Sequence, residues 1–226
     1  KCYKTAIKLN PNNAELYNNI GVAYSKSKLH SFAINSYKKA LKLKPNYSQA
    51  YINMGVELVE KGNLDAAIKY YKKALSLAPN HSEAYNNLGI AYNWLGNYEA
   101  AHEACSRALQ INPSYAEARY NLGLILSNRG EKEAAIENYN QAILIDPNFA
   151  RPQNNLGLIY KNTGDLTCAF KCFKEAIRIN PEYAEAHYNL GNAFNQAGEQ
   201  DSPIASFKEA IRINPEYAEA YYNVAN

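Results

Sequence analysis

The sequence has no long apolar run and little excess of either charge. No stretch approaches the roughly 20 apolar residues that cross a bilayer, and the first residues, KCYKTAIKLN, contain no signal-peptide hydrophobic region. Lys and Arg number 24 against 21 Asp and Glu, a formal net charge of +3, which is too small to predict a nucleic-acid or membrane surface. We therefore expect a soluble, cytoplasmic protein that binds neither nucleic acid nor membrane.

The chain is also poor in residues that carry chemistry. Its four cysteines are too few and too unevenly spaced for a disulfide framework in 226 residues: Cys2, Cys105, Cys168 and Cys172. The last two share a helical face, but a structural metal site usually needs four ligands, so packing is the favoured role. The four histidines fall at different repeat positions, without a recurrent partner at a catalytic spacing: His30, His81, His102 and His187. We predict no enzyme activity, catalytic residue, metal or cofactor within these residues.

What the sequence does have is a period of 34 residues. Three residue types keep this spacing without insertion or deletion. They are the prolines Pro11, Pro45, Pro79, Pro113, Pro147, Pro181 and Pro215, the glycines Gly21, Gly55, Gly89, Gly123, Gly157 and Gly191, and the alanines Ala40, Ala74, Ala108, Ala142, Ala176 and Ala210. A fixed period of this length is typical of repeat architectures. With that glycine at position 8, the complete repeats are 14–47, 48–81, 82–115, 116–149, 150–183 and 184–217, with partial repeats at 1–13 and 218–226.

Each repeat is predicted to be two helices. Apolar and small residues recur at helical spacing in both halves of a repeat, as in Tyr85, Leu88 and Tyr92 of one first half. A glycine at position 15 marks the turn between the halves, except that the first complete repeat has Lys28 there. The proline at position 32 ends the second helix. Pro203, at position 20, is tolerable only in a first helical turn, so that helix is expected to be short.

A cap signal follows the proline at position 32. Asparagine or serine at position 33 stands three residues before an acidic or amide residue at position 2, which is capping-box spacing. The pairs are Asn12 with Glu15, Asn46 with Gln49, Asn80 with Glu83, and Ser114 with Glu117. We therefore expect the position 33 residues to cap the first helices.

These residues resemble the tetratricopeptide-repeat family from end to end. The pattern has a frequent Tyr at position 4, mostly Leu at 7, Gly at 8, a large apolar residue at 11, Ala at 20 and 27, an aromatic at 24 and Pro at 32, with Cys105 as an exception at 24. The resemblance implies an all-α, right-handed α-solenoid superhelix of antiparallel helix pairs. It also implies a concave groove lined by the first helices, with positions 2, 5, 6, 9, 12 and 13 pointing inward.

Position 6 is asparagine in every first helix. The series is Asn19, Asn53, Asn87, Asn121, Asn155, Asn189 and Asn223. One hypothesis is that this asparagine belongs to the general repeat consensus and makes a hydrogen bond between repeats. The other is that these amides, each offering a donor and an acceptor, pair with the backbone of an extended peptide. The second arrangement resembles the asparagine ladder of the O-linked N-acetylglucosamine transferases.

Neighbouring groove positions add further candidate peptide-binding residues. They are Asn18, Asn86, Asn154, Tyr120 and Tyr188 at position 5, Asn93 at position 12 and Trp94 at position 13. Trp94 is either a contact anchor or a cover for a neighbouring helix. Position 2 carries mostly glutamate and Arg151 is its only cation, so a clamp for a partner's terminal carboxylate is disfavoured.

We therefore predict a protein-interaction scaffold, part of a larger protein, that binds an extended polypeptide in its concave groove. Two alternatives stay open. The chain could be the substrate-recognition arm of a glycosyltransferase. It could instead be a self-assembling module, because a sequence starting and ending in mid-repeat has uncapped ends that could stack head to tail.

Overall fold

The computed structural model describes residues 10–199 and 202–225, and its regular structure in these ranges is entirely α-helical. The thirteen helices of the described ranges are α1 (Ala14–Lys26), α2 (His30–Leu43), α3 (Ser48–Glu60), α4 (Leu64–Leu77), α5 (Ser82–Trp94), α6 (Tyr98–Ile111), α7 (Ala116–Asn128), α8 (Lys132–Ile145), α9 (Ala150–Thr163), α10 (Leu166–Ile179), α11 (Ala184–Ala197), α12 (Ser202–Ile213) and α13 (Ala218–Ala225). The predicted all-α array of helix pairs is confirmed. Most of the partial repeat predicted at 1–13, Cys2 included, lies outside the described residues.

The helices belong to two compact units. Unit 1 is Lys1–Pro113 and holds α1 to α6, whereas unit 2 is Ser114–Asn226 and holds α7 to α13. Within each unit the two helices of a repeat make the most extensive contacts, and each second helix also contacts the next first helix. First helices touch one another as well, α1 with α3 and α3 with α5 in unit 1, and α9 with α11 in unit 2. Each unit is therefore a stack in which first helices are neighbours.

The two helices of a pair approach closely because a glycine faces an aromatic ring. A Cβ added at Gly55 would lie 2.4 Å from a ring carbon of Tyr71, which is 2% exposed. Burying such a ring stabilises the fold by about 2 kcal/mol. In the third complete repeat Cys105 takes the ring's place, and its Sγ would lie 2.4 Å from a Cβ added at Gly89. The predicted packing of small against large residues is confirmed within each unit.

The turn inside each pair requires a left-handed backbone. Gly62 has a φ of 73°, and the next backbone N–H, of Asn63, donates to the Leu58 carbonyl at 2.8 Å. Lys28 occupies the same position in the first repeat with a φ of 56°. A side chain makes this conformation costly. The turn that the position 15 glycines predicted is confirmed, and Lys28 adopts it without being glycine.

The predicted caps are wrong by one residue. The first helices start one residue later than a cap at position 33 requires, so the N-cap is position 34, and the Asn13 side chain accepts a hydrogen bond from the Leu16 N–H at 3.0 Å. The residues at position 33 lie instead in the turn that follows the proline, namely Asn12, Asn46, Asn80 and Ser114. The proline restricts the chain to a turn before the helix begins. Pro203 is the second residue of α12 as the structure describes it, Ser202–Ile213, and the residues just before this helix lie outside the described ranges.

Candidate functional site

Positions 2, 6, 9 and 13 of the repeat share one side of a first helix, and in α5 this side is accessible. In α5 these are Glu83, Asn87, Ile90 and Trp94, which are exposed or half-buried, whereas Leu88 between them is 6% exposed. The four positions share a side because they recur at helical spacing. We call this set of positions the first-helix face.

One position 6 amide of unit 1 donates a hydrogen bond to the preceding repeat and accepts another within its own helix. The Asn53 Nδ2 donates to the Asn18 Oδ1 at 2.9 Å, across 35 residues, and its own Oδ1 accepts from the Gln49 Nε2 at 3.2 Å. Asn18 is 4% exposed, so this bond lies between helices α1 and α3. At Asn53 the geometry therefore matches the first hypothesis, a hydrogen bond that joins consecutive repeats.

Asn87 occupies the same position in the next repeat but has no such bond. The residue 35 positions earlier is Ile52, which is fully buried and has no side-chain acceptor. Asn87 is half-buried, and its side chain makes no hydrogen bond within the described chain. Its amide therefore presents both a donor and an acceptor on the first-helix face of unit 1.

Unit 2 repeats the bond across 35 residues three times. Asn155 donates to the Tyr120 hydroxyl at 3.4 Å, Asn189 donates to the Asn154 Oδ1 at 2.9 Å, and Asn223 donates to the Tyr188 hydroxyl at 3.4 Å. In these three residues the amide nitrogen donates a hydrogen bond to the first helix of the preceding repeat. A single asparagine series therefore contains both engaged and unengaged amides, and the difference depends on the residue at position 5 of the preceding repeat.

Position 5 residues are mostly buried and are removed from the candidate surface. The exposed fractions are 4% for Asn18, 2% for Asn86, 0% for Asn154 and 8% for Tyr120. Tyr188 is half-buried, and its ring stacks on Tyr217 with centroids 4.9 Å apart. In the described structure these residues pack and hydrogen-bond between helices, because position 5 points toward the adjacent repeat and not to solvent.

The remaining predicted residues lie on or beside the first-helix face. Trp94 is 62% exposed, so it is accessible to a partner rather than a cover for a neighbouring helix. Asn93 and Asn121 are half-buried, at positions 12 and 6. The aliphatic side chain at position 9, as in the 36% exposed Val56, adds apolar area to the face of unit 1.

The first-helix face of unit 1 carries more negative than positive charge. Its exposed carboxylates are Glu15 and Glu83 at position 2 and Glu60 at position 13, and Lys26 is the cation among its described residues. A negative surface attracts cationic segments and repels acidic ones. This balance agrees with the sequence-based expectation that a clamp for a terminal carboxylate is disfavoured.

Sequence reasoning missed a buried hydrogen bond between a histidine and a glutamate in unit 1. Glu57 is 1% exposed, and its Oε2 lies 2.9 Å from the Nδ1 of His30, the first residue of α2. The signal was available, since position 10 is otherwise Ala or Ile in the complete repeats. Removing one partner of such a pair would leave a buried charge or polar group unsatisfied. We assign the pair a structural role, joining α2 to α3.

The described residues hold no group of three or more His, Cys, Asp or Glu arranged to bind a metal. Burial raises the pKa of Cys172 to about 11 and that of Cys105 to about 12, so both thiols are held protonated and weakly nucleophilic. None of the helices in the described ranges is both long and apolar enough to cross a membrane.

Comparison with known families identifies the repeat. A family model described as the C-terminal domain of cilia and flagella-associated protein 70 matches residues 1–224. The chain belongs to this tetratricopeptide-repeat family. No curated protein sequence matches the chain. The tetratricopeptide-repeat array recognised in the sequence is therefore shown by both the family and the fold.

Solved structures share the fold at low sequence identity. A chain of the APC/C hetero-tetramer Cut9–Hcn1 has a TM-score of 0.87 and 20% identity over 99% of this chain, which spans only 44% of that protein's length. Pseudomonas aeruginosa PilF has a TM-score of 0.79 and 18% identity, covering 94% of this chain and 96% of its own. YrrB, described as a tetratricopeptide-repeat protein with an unusual peptide-binding site, has a TM-score of 0.52 and 22% identity, covering 100% of this chain and 99% of its own.

Proposed function

We propose that this tetratricopeptide-repeat chain is a protein-interaction scaffold that binds an extended polypeptide along its first-helix faces. The observation that carries the proposal is Asn87, a half-buried amide without an intramolecular partner on a surface-facing side of α5. An amide in this state can accept from one peptide N–H and donate to one peptide C=O, whatever the side chains of the peptide are. The description of YrrB as a peptide-binding repeat protein supports the same class of function.

Two further features define the peptide that this surface would take. Trp94 lies seven residues beyond Asn87 on the same helical side and is 62% exposed, so it offers an anchor for an apolar side chain. Glu60 and Glu83 on the same face favour a peptide with basic side chains. The proposed ligand is therefore an extended segment that combines an apolar residue with lysine or arginine.

The proposal assigns unequal roles to the asparagine series. Asn87 is the backbone-binding amide of unit 1, whereas Asn53, Asn155, Asn189 and Asn223 donate between repeats. The glycosyltransferase-arm and self-assembly hypotheses stay predictions from the sequence.

The test uses Trp94, the single tryptophan of the chain, as its reporter. Peptides are selected from a random library displayed on phage, and a selected peptide is titrated while Trp94 quenching by acrylamide is followed. We expect the peptide to protect Trp94 and Asn87→Ala to weaken binding about 5- to 30-fold, because one or two hydrogen bonds to the peptide are lost. N-methylation of the peptide bonds should have a similar effect. Leu144→Ala, at a 75% exposed position of α8, is the control and should bind normally.

Selected peptides that leave Trp94 as open to acrylamide as before would contradict the proposal. So would a still-folded Asn87→Ala variant with unchanged affinity, because backbone pairing through this amide could not then be the source of binding.

A further inference from the structure

A groove recurs at four positions of the repeat on the side of the first helix opposite the first-helix face. Positions 4, 22, 23 and 26 line a groove in the second, third and fifth complete repeats. Its volume is about 240 Å³ in the second repeat, about 680 Å³ in the third and about 560 Å³ in the fifth. Ligand pockets range over roughly 300–1,000 Å³, so the groove of the third repeat, which we call the outer groove, is of a size to take a ligand.

The residue at position 23 differs between the smaller and the larger groove. In the second repeat it is Tyr70, whose ring packs on Tyr51 at position 4 with centroids 5.9 Å apart. In the third repeat it is Ala104, while Tyr85 keeps the aromatic ring at position 4. The outer groove therefore keeps the position 4 ring, Tyr85, but has no position 23 ring packed on it as Tyr70 packs on Tyr51. The fifth repeat differs again, with Gln153 at position 4.

The outer groove also has an apolar floor. Leu88 and Tyr92 of α5 line it together with Tyr85, and the walls are formed by α6 and by Lys72 of α4. Aromatic rings pair favourably in offset or tilted arrangements, as Tyr51 and Tyr70 do with an interplanar angle of 40°. An aromatic side chain from a partner would reproduce this packing on Tyr85.

Two cations of the outer groove have no carboxylate partner within the described chain. The Lys72 Nζ lies 5.6 Å from the centroid of the Tyr92 ring, and the Arg107 Nη1 donates to the neutral Gln110 Oε1 at 2.9 Å. By contrast, Arg178 and Arg212 each bind a glutamate three residues earlier at 2.8 Å. The residue three before Arg107 is Ala104, which offers no carboxylate to this arginine.

We propose that the outer groove binds a polypeptide segment in which an aromatic side chain is flanked by carboxylates. The aromatic ring packs on Tyr85, where Tyr70 packs on Tyr51 in the preceding repeat, and the carboxylates bind Lys72 and Arg107. Glu103 also lines the groove and lessens its attraction for carboxylates, but it forms no ion pair with Lys72 or Arg107 in the structure. This site lies across α5 from Asn87 and does not rest on the proposed function.

The experiment measures binding of a defined probe to the full chain. The probe is a fluorescein-labelled, end-blocked peptide with one phenylalanine between two pairs of glutamates, and fluorescence anisotropy gives its affinity. Ala104→Tyr should weaken binding at least tenfold, because the new tyrosine ring would pack on Tyr85 and occupy the space of the probe's phenylalanine. Arg107→Glu, at an exposed position, should weaken binding to a similar degree without disturbing the fold, and raising the salt concentration should weaken wild-type binding. A peptide with alanine in place of phenylalanine should bind at least tenfold more weakly.

Asn87→Ala separates this site from the first-helix face and should leave the affinity for the acidic probe unchanged. The proposal is overturned if the wild-type chain does not bind the probe, or if Ala104→Tyr and Arg107→Glu both bind it as the wild type does. It is equally overturned if Asn87→Ala abolishes binding while Ala104→Tyr does not, and that result would support the first-helix face as the single site.

Discussion

The contrast between Asn189 and Asn87 gives the sharpest test of how this array uses its asparagines. Both stand at position 6 of a first helix, but Asn189 is 6% exposed and donates to the fully buried Asn154 at 2.9 Å. Asn87 is half-buried and makes no side-chain hydrogen bond in the described chain. We predict that alanine at position 189 destabilises the protein and that alanine at position 87 does not.

The magnitude follows from two opposing effects. Asn189→Ala leaves the Oδ1 of Asn154 without its donor inside the protein, which costs about 1–3 kcal/mol. Alanine is the better helix former by about 0.5 kcal/mol, so the net loss is about 0.5–2.5 kcal/mol. Asn87→Ala breaks no side-chain hydrogen bond and has the same advantage in helix propensity, so it should be neutral or stabilising by about 0.5 kcal/mol.

The assay should read each helix separately, because the stability of a repeat array is a sum of local terms. Amide hydrogen exchange in α11 should accelerate about 2- to 70-fold in Asn189→Ala, while exchange in α5 should be unchanged or slower in Asn87→Ala. Urea unfolding followed by circular dichroism gives the matching change in total stability. Equal destabilisation by the two variants would refute the argument that the residue at position 5 of the preceding repeat decides the role of each asparagine.

Two other predictions concern backbone strain and pH. Lys28→Gly should stabilise the protein by about 0.5–1 kcal/mol, because a left-handed backbone costs lysine more than the extra chain entropy costs glycine. The control is Ser27→Gly, which should destabilise the protein because Ser27 has an ordinary φ of −90°. A lower urea midpoint for Lys28→Gly than for the wild type would contradict this prediction. Burial raises the pKa of Cys105 from 9.0 to about 12, so the stability that the protonated thiol contributes is complete below pH 9 and is lost as the pH rises to 12. The stability advantage of the wild type over Cys105→Ala should therefore shrink across that window, and an advantage independent of pH would exclude this linkage.

Local chemistry made the helical repeat readable from the sequence. Proline at position 32 ends a helix by its own covalent structure, and a glycine at position 15 marks a left-handed turn, because both restrictions act within one or two residues. The predicted cap failed for a related reason. Asn12 and Asn13 are adjacent and equally suited to capping, and the turn after Pro11 determines which of them precedes the helix.

The candidate sites depended on residues far apart in the chain. Asn53 and Asn87 are the same residue at the same position, and they differ because Asn18 lies beside the first and Ile52 precedes the second by the same 35 residues. The outer groove likewise required the structure, since Ala104 is an ordinary helical residue until its neighbours are known. The sequence by itself determined the helix pairs, because their signals are local and repeated. Tertiary structure decided which polar groups are satisfied and which grooves are open, because hydrogen bonding and packing volume are properties of neighbouring helices together.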